Sequence, residues 1–166
     1  QRASERALRN RVSLEDVLKL GAEIRRESDA GLIVFSYLNP IVRMGLERFA
    51  SAAADAGIDG ALVTDLPVEE ADEYLRHMRR ADLATVFLAA PTSTDDRLRR
   101  ICAVSTGFVY AISRTGVTGA RKDLTEDALK LVERLRKFTR LPIAVGFGIS
   151  GPEHFASIGS FADAAV

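Results

Sequence analysis

Ile143-Ala144-Val145-Gly146-Phe147-Gly148-Ile149-Ser150 opens as a short apolar run, β-branched at Ile143 and Val145, that passes into a Gly-x-Gly turn. Its first half reads as a strand, but it is apolar throughout where a strand with one wet face would alternate. That is the pattern of a parallel strand covered on both faces. The same signature recurs upstream at Leu32 to Tyr37, Ala61 to Asp65, Thr85 to Ala89 and Phe108 to Ile112, and more weakly at Ala164 to Val166. The strand centres are about 20 to 35 residues apart, enough for one helix in each interval.

The intervals carry helix signals. Ser13, with Asp16 three positions on, predicts an N-cap and a helix to about Ser28. A second helix is predicted from Arg43 to Ala56, stopping at Gly57, and a third from Val68 to Ala81, opened by the acids Glu69 and Glu70. Thr94 is placed to cap a helix to about Val104, Thr125 one to about Thr139, and Gly151-Pro152 to open one to about Ile158. Consecutive βα units leave two architectures, a doubly wound sheet or a (β/α)8 barrel. No GxGxxG follows the first strand, and polar or glycine-rich residues recur at nearly every strand's carboxyl end, so the barrel is expected. A complete barrel takes about 250 residues, so 166 make roughly two thirds of one. The expectation is a single domain over 1–166, an α/β TIM barrel of the phosphate-binding type lacking its first two strands and the end of its last βα unit. Gln rather than Met at position 1 agrees with a chain that begins inside a longer one.

Composition removes several functions. The 23 basic and 23 acidic residues balance, and 47% of residues are hydrophobic, which is neither a disordered composition nor the basic footprint of a nucleic-acid binder. Cys102, His77 and His154 supply too few ligands for a Cys/His zinc module, and a lone cysteine forms no internal disulfide. No run approaches the roughly 18 apolar residues that span a bilayer, and the first residues lack the apolar stretch of a signal peptide, so a cytoplasmic, membrane-free protein is expected.

The strand ends carry the chemistry. In order they read SYLNP (36–40), DLPVEEADE (65–73), FLAAPTS (87–93), SRTGVTGAR (113–121) and VGFGIS (145–150). Taken alone, Gly146 and Gly148 around Phe147 turn the chain, and the absence of Cβ atoms also lets backbone N–H groups approach an anion. Tyr110 reads as a core aromatic, Tyr37 and Asn39 as a strand end and an Asn-Pro turn, and the loop from Arg114 to Asp123 as a polar connector or lid. Asp65 is the acid at a strand end, and by residue chemistry it is either a general acid or base or a carboxylate that caps the following helix or orders a loop. His77, among Arg76, Arg79 and Arg80, reads as solvated, and His154 as a helix-start residue.

These ordered strings, above all GVTGA (116–120) followed by GFGIS (146–150), resemble the α subunit of tryptophan synthase across nearly the whole chain. The resemblance implies a retro-aldol lyase that splits indole-3-glycerol phosphate into indole and glyceraldehyde 3-phosphate. It implies no cofactor in this subunit, and a partner β subunit, in an α-β-β-α complex, that holds pyridoxal phosphate and receives the indole. It places Tyr37 near the indole, Tyr110 near the glycerol phosphate, and Gly119, Gly146, Phe147 and Gly148 beside the phosphate. Thr118 would bond a catalytic aspartate, and Arg114, Thr115 and Gly116 would belong to a lid. Asn39, Asp65 and Pro67 would face the β subunit. The family's catalytic glutamate and aspartate fall upstream of the region matching Gln1, so no residue here is assigned a catalytic role and the chain alone is expected to be inactive. A stand-alone lyase of the same family, a phosphate-binding barrel without catalysis, and a barrel for another sugar phosphate are the rival expectations.

Overall fold

The computed structural model describes residues 5–6, 9–112, 121–146 and 152–166. The chain divides into two compact units, residues 1–84 and 85–166. Both are runs of parallel strands joined by helices, and the fold class is α/β.

In the first unit, helix α1 (Leu14–Glu27) begins as the sequence predicts. The Asp16 N–H donates to Ser13 Oγ (3.2 Å), and Asp16 Oδ2 accepts the Ser13 N–H (2.9 Å) and hydroxyl (2.7 Å), a reciprocal capping box. Strand β1 (Ile33–Ser36) pairs in parallel with β2 (Gly60–Val63), from Ile33 against Gly60 to Ser36 against Val63. All of β2 is buried.

The crossover between them departs from expectation. The predicted single helix from Arg43 to Ala56 is two, α2 (Leu38–Met44) and α3 (Leu46–Asp55), broken at Gly45. Gly45 sits at φ 94°, a left-handed conformation open to glycine, so the first helix ends there and the second restarts with Phe49 N–H bonded to Gly45 O (2.8 Å). The predicted Asn39-Pro40 turn is instead the first turn of α2, where proline's missing N–H leaves no intrahelical bond unmade. After β2, the segment predicted as one helix from Val68 to Ala81 is a 3₁₀ turn (Val68–Glu70) followed by α4 (Asp72–Arg80).

The second unit takes β3 (Ala84–Ala89), α5 (Asp95–Val104), β4 (Val109–Ile112), α6 (Arg121–Leu135), β5 (Ile143–Gly146), α7 (Pro152–Ile158) and β6 (Ala164–Ala165). Its strands pair in parallel in sequence order, with Phe87 against Val109, Val109 against Ile143, and Ala144 against Ala164. Thr94 caps α5 as expected, accepting the Arg97 N–H (3.3 Å). Helix α6 starts at Arg121 rather than at the predicted Thr125 cap, and it ends at Leu135, short of Thr139. Its inner face, Ala128, Leu131, Val132 and Leu135, is fully buried, so packing overrides the local start signal.

Buried polar groups are mostly satisfied. Thr85 donates from its hydroxyl to Val104 O (2.6 Å), and Ser105 donates to Ile101 O (2.9 Å). Tyr74 is the exception among the described residues: it is 4% exposed and its hydroxyl has no partner. Desolvation drives its acidity far below that of an ordinary phenol, so the hydroxyl stays protonated.

Two expectations follow. Tyr74→Phe removes a buried unpaired hydroxyl at nearly constant shape, so it should raise stability by roughly 1 kcal/mol in urea unfolding; equal or lower stability would show that the hydroxyl is paired. Asp16 is held below the usual carboxylate range, first by its bond from the Ser13 side chain. A depressed native pKa contributes stability that is complete above the unfolded value near 3.9 and lost as pH falls through the native one. Asp16→Asn should therefore lower stability slightly at neutral pH and flatten the acid limb below about pH 4, so that variant and parent converge at low pH.

Candidate functional site

In each unit the described candidate residues lie at or near the carboxyl ends of the strands. In the first unit, Tyr37 follows β1 as the N-cap of α2 and is 64% exposed. Asn39 lies in the first turn of α2 and faces solvent. Asp65 corrects its expectation: its Oδ1 accepts the N–H of Leu38 (2.6 Å), the first residue of α2. The carboxylate therefore reaches back across the strand pair to cap the helix after β1, not the one after its own strand. A negative charge there also suits the helix dipole. Pro67 is half-buried and opens the 3₁₀ turn, its carbonyl accepting the Glu70 N–H (3.0 Å). Tyr37, Asn39, Asp65 and Pro67 thus share one end of a paired β1–β2 ribbon.

In the second unit, the structure brings Tyr110 of β4 against Gly146 at the end of β5. A Cβ placed on Gly146 would stand 1.8 Å from Tyr110 Oη and 2.3 Å from Cζ. Glycine at 146 is therefore a packing requirement of the tyrosine ring as well as a strand-end turn. Tyr110 is 5% exposed, and burial pushes its hydroxyl above the ordinary phenol value, keeping it a neutral donor. Arg114, Thr115, Gly116, Thr118, Gly119, Phe147 and Gly148 lie outside the described residues.

Sequence reading missed Arg134. From α6 its guanidinium donates to Pro91 O (3.1 Å), Ser93 O (2.5 Å) and Asp95 Oδ1 (2.7 and 2.9 Å), ordering the loop at the carboxyl end of β3. These partners are 39 to 43 residues away, so nothing local marked the arginine. His77 is also corrected. Its side chain is 17% exposed rather than solvated, with Nε2 4.0 Å from Glu73 Oε1. It lines a cavity of about 250 Å³ between α3 and α4, with Arg80, Glu47 and Asp55. That cavity belongs to the helical layer and holds none of the strand-end residues. Cys102 is buried, and its thiol is pushed up by desolvation, away from a reactive thiolate. Among the described residues no three His, Cys, Asp or Glu side chains gather as a metal site, and no helix is long and apolar enough to cross a membrane.

Parallel strands alternating with helices in sequence order define an incomplete (β/α)8 barrel. The family model described as tryptophan synthase alpha chain matches residues 1–166, and the chain belongs to that family. The α chain of Solibacter usitatus is 52% identical over 166 residues, covering all of this chain and 62% of the relative's length. That of Acidiphilium cryptum is 47% identical over 167 residues, covering all of this chain and 60% of the relative. Among solved structures, a chain of the tryptophan synthase α2β2 complex of Pyrococcus furiosus superposes with a TM-score of 0.89 at 40% identity, over 98% of this chain and 66% of that one. A structure from Aquifex aeolicus gives 0.88 at 42% identity, over 99% and 63%. The chain spans less than two thirds of the length of these relatives.

The Tyr110–Gly146 contact sets a test. Gly146→Ala should overpack the strand end and cost about 1 to 3 kcal/mol in chemical denaturation. Adding Tyr110→Leu, which removes the ring, should recover most of that loss. Strictly additive effects of the two changes would show that the ring and the glycine do not share the space.

Proposed function

We propose that these 166 residues are the central to C-terminal part of a tryptophan synthase α chain that cleaves indole-3-glycerol phosphate to indole and glyceraldehyde 3-phosphate. The match of the family model over every residue carries the reading, and the strand-end position of Tyr37 and Gly146, with Tyr110 packed against the latter, agrees with it.

The reaction breaks the bond between the indole ring carbon and the glycerol chain. The ring carbon gains a proton, and the hydroxyl on the departing carbon gives one up as it becomes a carbonyl. It therefore requires a flat apolar pocket, a phosphate anchor, an acid and a base. Tyr37 lies beside the indole in this reading, and Tyr110 beside the glycerol phosphate. Gly119, Gly146, Phe147 and Gly148 supply the phosphate turn, where backbone N–H groups meet the anion. Thr118 orients the catalytic aspartate, and Arg114, Thr115 and Gly116 belong to the loop that closes on substrate. Asn39, Asp65 and Pro67 meet the β subunit, and the solved α2β2 complex of Pyrococcus furiosus supports a partner of that kind.

The proton-transferring carboxylates are not among the residues assigned here. Of the two conspicuous polar groups, Asp65 already caps a helix and Tyr110, inside β4, is held neutral by burial. The 166 residues alone are therefore inactive in this reading. The α chain works in the cytoplasm without a cofactor of its own and hands indole to the pyridoxal-phosphate-dependent β subunit.

The test is indole release from indole-3-glycerol phosphate, measured on the 166-residue chain and on the full-length protein with a β subunit. Release by the full-length protein and none by the shorter chain is the expected result. Turnover by the shorter chain would overturn its inactivity. No turnover by the full-length protein would overturn the assigned reaction.

A further inference from the structure

Ala90-Pro91-Thr92-Ser93, the loop at the carboxyl end of β3, closes on itself as a tight turn. The Ser93 N–H donates to Ala90 O (2.9 Å), and the Ala90 N–H donates to Ser93 Oγ (3.4 Å). Proline in the second position suits such a turn, because its fixed φ is the one the turn needs. The carbonyls of Pro91 and Ser93 take their donor from outside the turn. Arg134 of α6 supplies it, with Nη1 3.1 Å from Pro91 O and Nη2 2.5 Å from Ser93 O. Its Nε and Nη2 also hold Asp95 Oδ1, at 2.9 and 2.7 Å.

All three guanidinium nitrogens are thus engaged along one short stretch of chain. The Arg134 side chain is 29% exposed, whereas that of Asp95 is 57% exposed. An ion pair with so open a carboxylate is screened, and the two backbone carbonyls are the larger part of the contact. A lysine ammonium, a point charge on a flexible stem, does not reproduce a planar fork that meets three acceptors at once.

The sheet sets what this loop borders. Leu88 pairs with Tyr110 and Tyr110 with Ala144, so the two-residue alternation puts Leu88, Tyr110, Ala144 and Gly146 on one face. The opposite face is sealed, with Ala89, Val109, Ala111, Ile143 and Val145 all fully buried. On the Tyr110 face, Leu88 and Ala90 at the end of β3 and Ile112 at the end of β4 are only half-buried. The turn that Arg134 holds is the direct continuation of the strand that flanks Tyr110.

We propose that Arg134 is a positioning residue for the strand-end site: by holding the Pro91 and Ser93 carbonyls it fixes the end of β3 beside Tyr110, and so sets the wall of the site on that side. Arg134 touches neither substrate nor the reacting atoms. The inference rests on the proposed cleavage of indole-3-glycerol phosphate, and it assigns to that reaction a residue from the helical layer. A wall that binds without transferring protons favours ground state and transition state alike, so its loss raises KM and leaves kcat in place.

The test uses Arg134→Met and Arg134→Lys in the full-length protein. Both kcat and KM for indole-3-glycerol phosphate are measured with a β subunit, together with amide hydrogen exchange at Ser93 and at Val109, whose N–H is bonded to Pro142 O (2.9 Å) away from the loop. Arg134→Met should raise KM about tenfold with kcat within about twofold of the parent. It should also speed exchange at Ser93 about tenfold and leave Val109 unchanged. Arg134→Lys should fall between Met and the parent in both KM and Ser93 exchange; if the Met variant does not fold, this intermediate shift still reads the effect. An unchanged KM, a fall in kcat alone, unchanged Ser93 exchange, or equal acceleration at Ser93 and Val109 would overturn the positioning role. An active parent with any of those results overturns this inference only, whereas an inactive parent overturns the assigned reaction and this inference with it.

Discussion

Two parallel strands cannot be joined by a tight turn, because the chain must return to the end from which the first strand started. In each unit helices make that return, and every strand of the unit then starts at one end and finishes at the other. Backbone amides at the starts and loops at the finishes face separate chemical demands. The start of β1 or β5 needs an acceptor for its opening N–H, and an aspartate held by an arginine supplies it. The finish is free to vary, and Tyr37, Asn39, Asp65 and the Tyr110–Gly146 contact are found there.

This division explains why the acids play such different parts. Asp59 and Asp163 resemble catalytic carboxylates in composition only; their oxygens are committed to strand-start amides and guanidinium groups. Asp65, at the opposite end of its strand, is committed to the first N–H of α2. The Ile143 N–H, with the Arg136 guanidinium, holds the Asp163 carboxyl below the usual carboxylate range, so it is a poor proton donor.

Membership of the tryptophan synthase alpha chain family rests on the whole 166 residues, while coverage of the relatives stops below two thirds of their length. The fold class was legible before any comparison. Apolar runs such as Ile143–Gly146 and Val109–Ile112 announce buried parallel strands, and Ser13 with Asp16, Thr94 and Gly57 mark helix ends through bonds made within a few residues. Errors clustered where a distant group or a backbone angle intervened. Gly45 broke one predicted helix in two by adopting a left-handed angle that no neighbour signals, and the buried face of α6 drew its start four residues ahead of Thr125.

The sequence by itself determined the βα rhythm, the parallel sheet type and the strand-end location of the candidate residues, because these follow from hydrophobic period and from capping bonds that reach three or four residues. Only the tertiary structure decided that Asp65 caps the helix after the neighbouring strand, that Tyr110 occupies the space a side chain at 146 would need, and that Arg134 orders the loop after β3. It also showed that Arg25 and Arg136 each hold an aspartate that accepts a strand-start N–H. Those bonds join residues distant in sequence, and their partners are fixed by how strands register and helices pack, not by anything either residue's neighbours spell out.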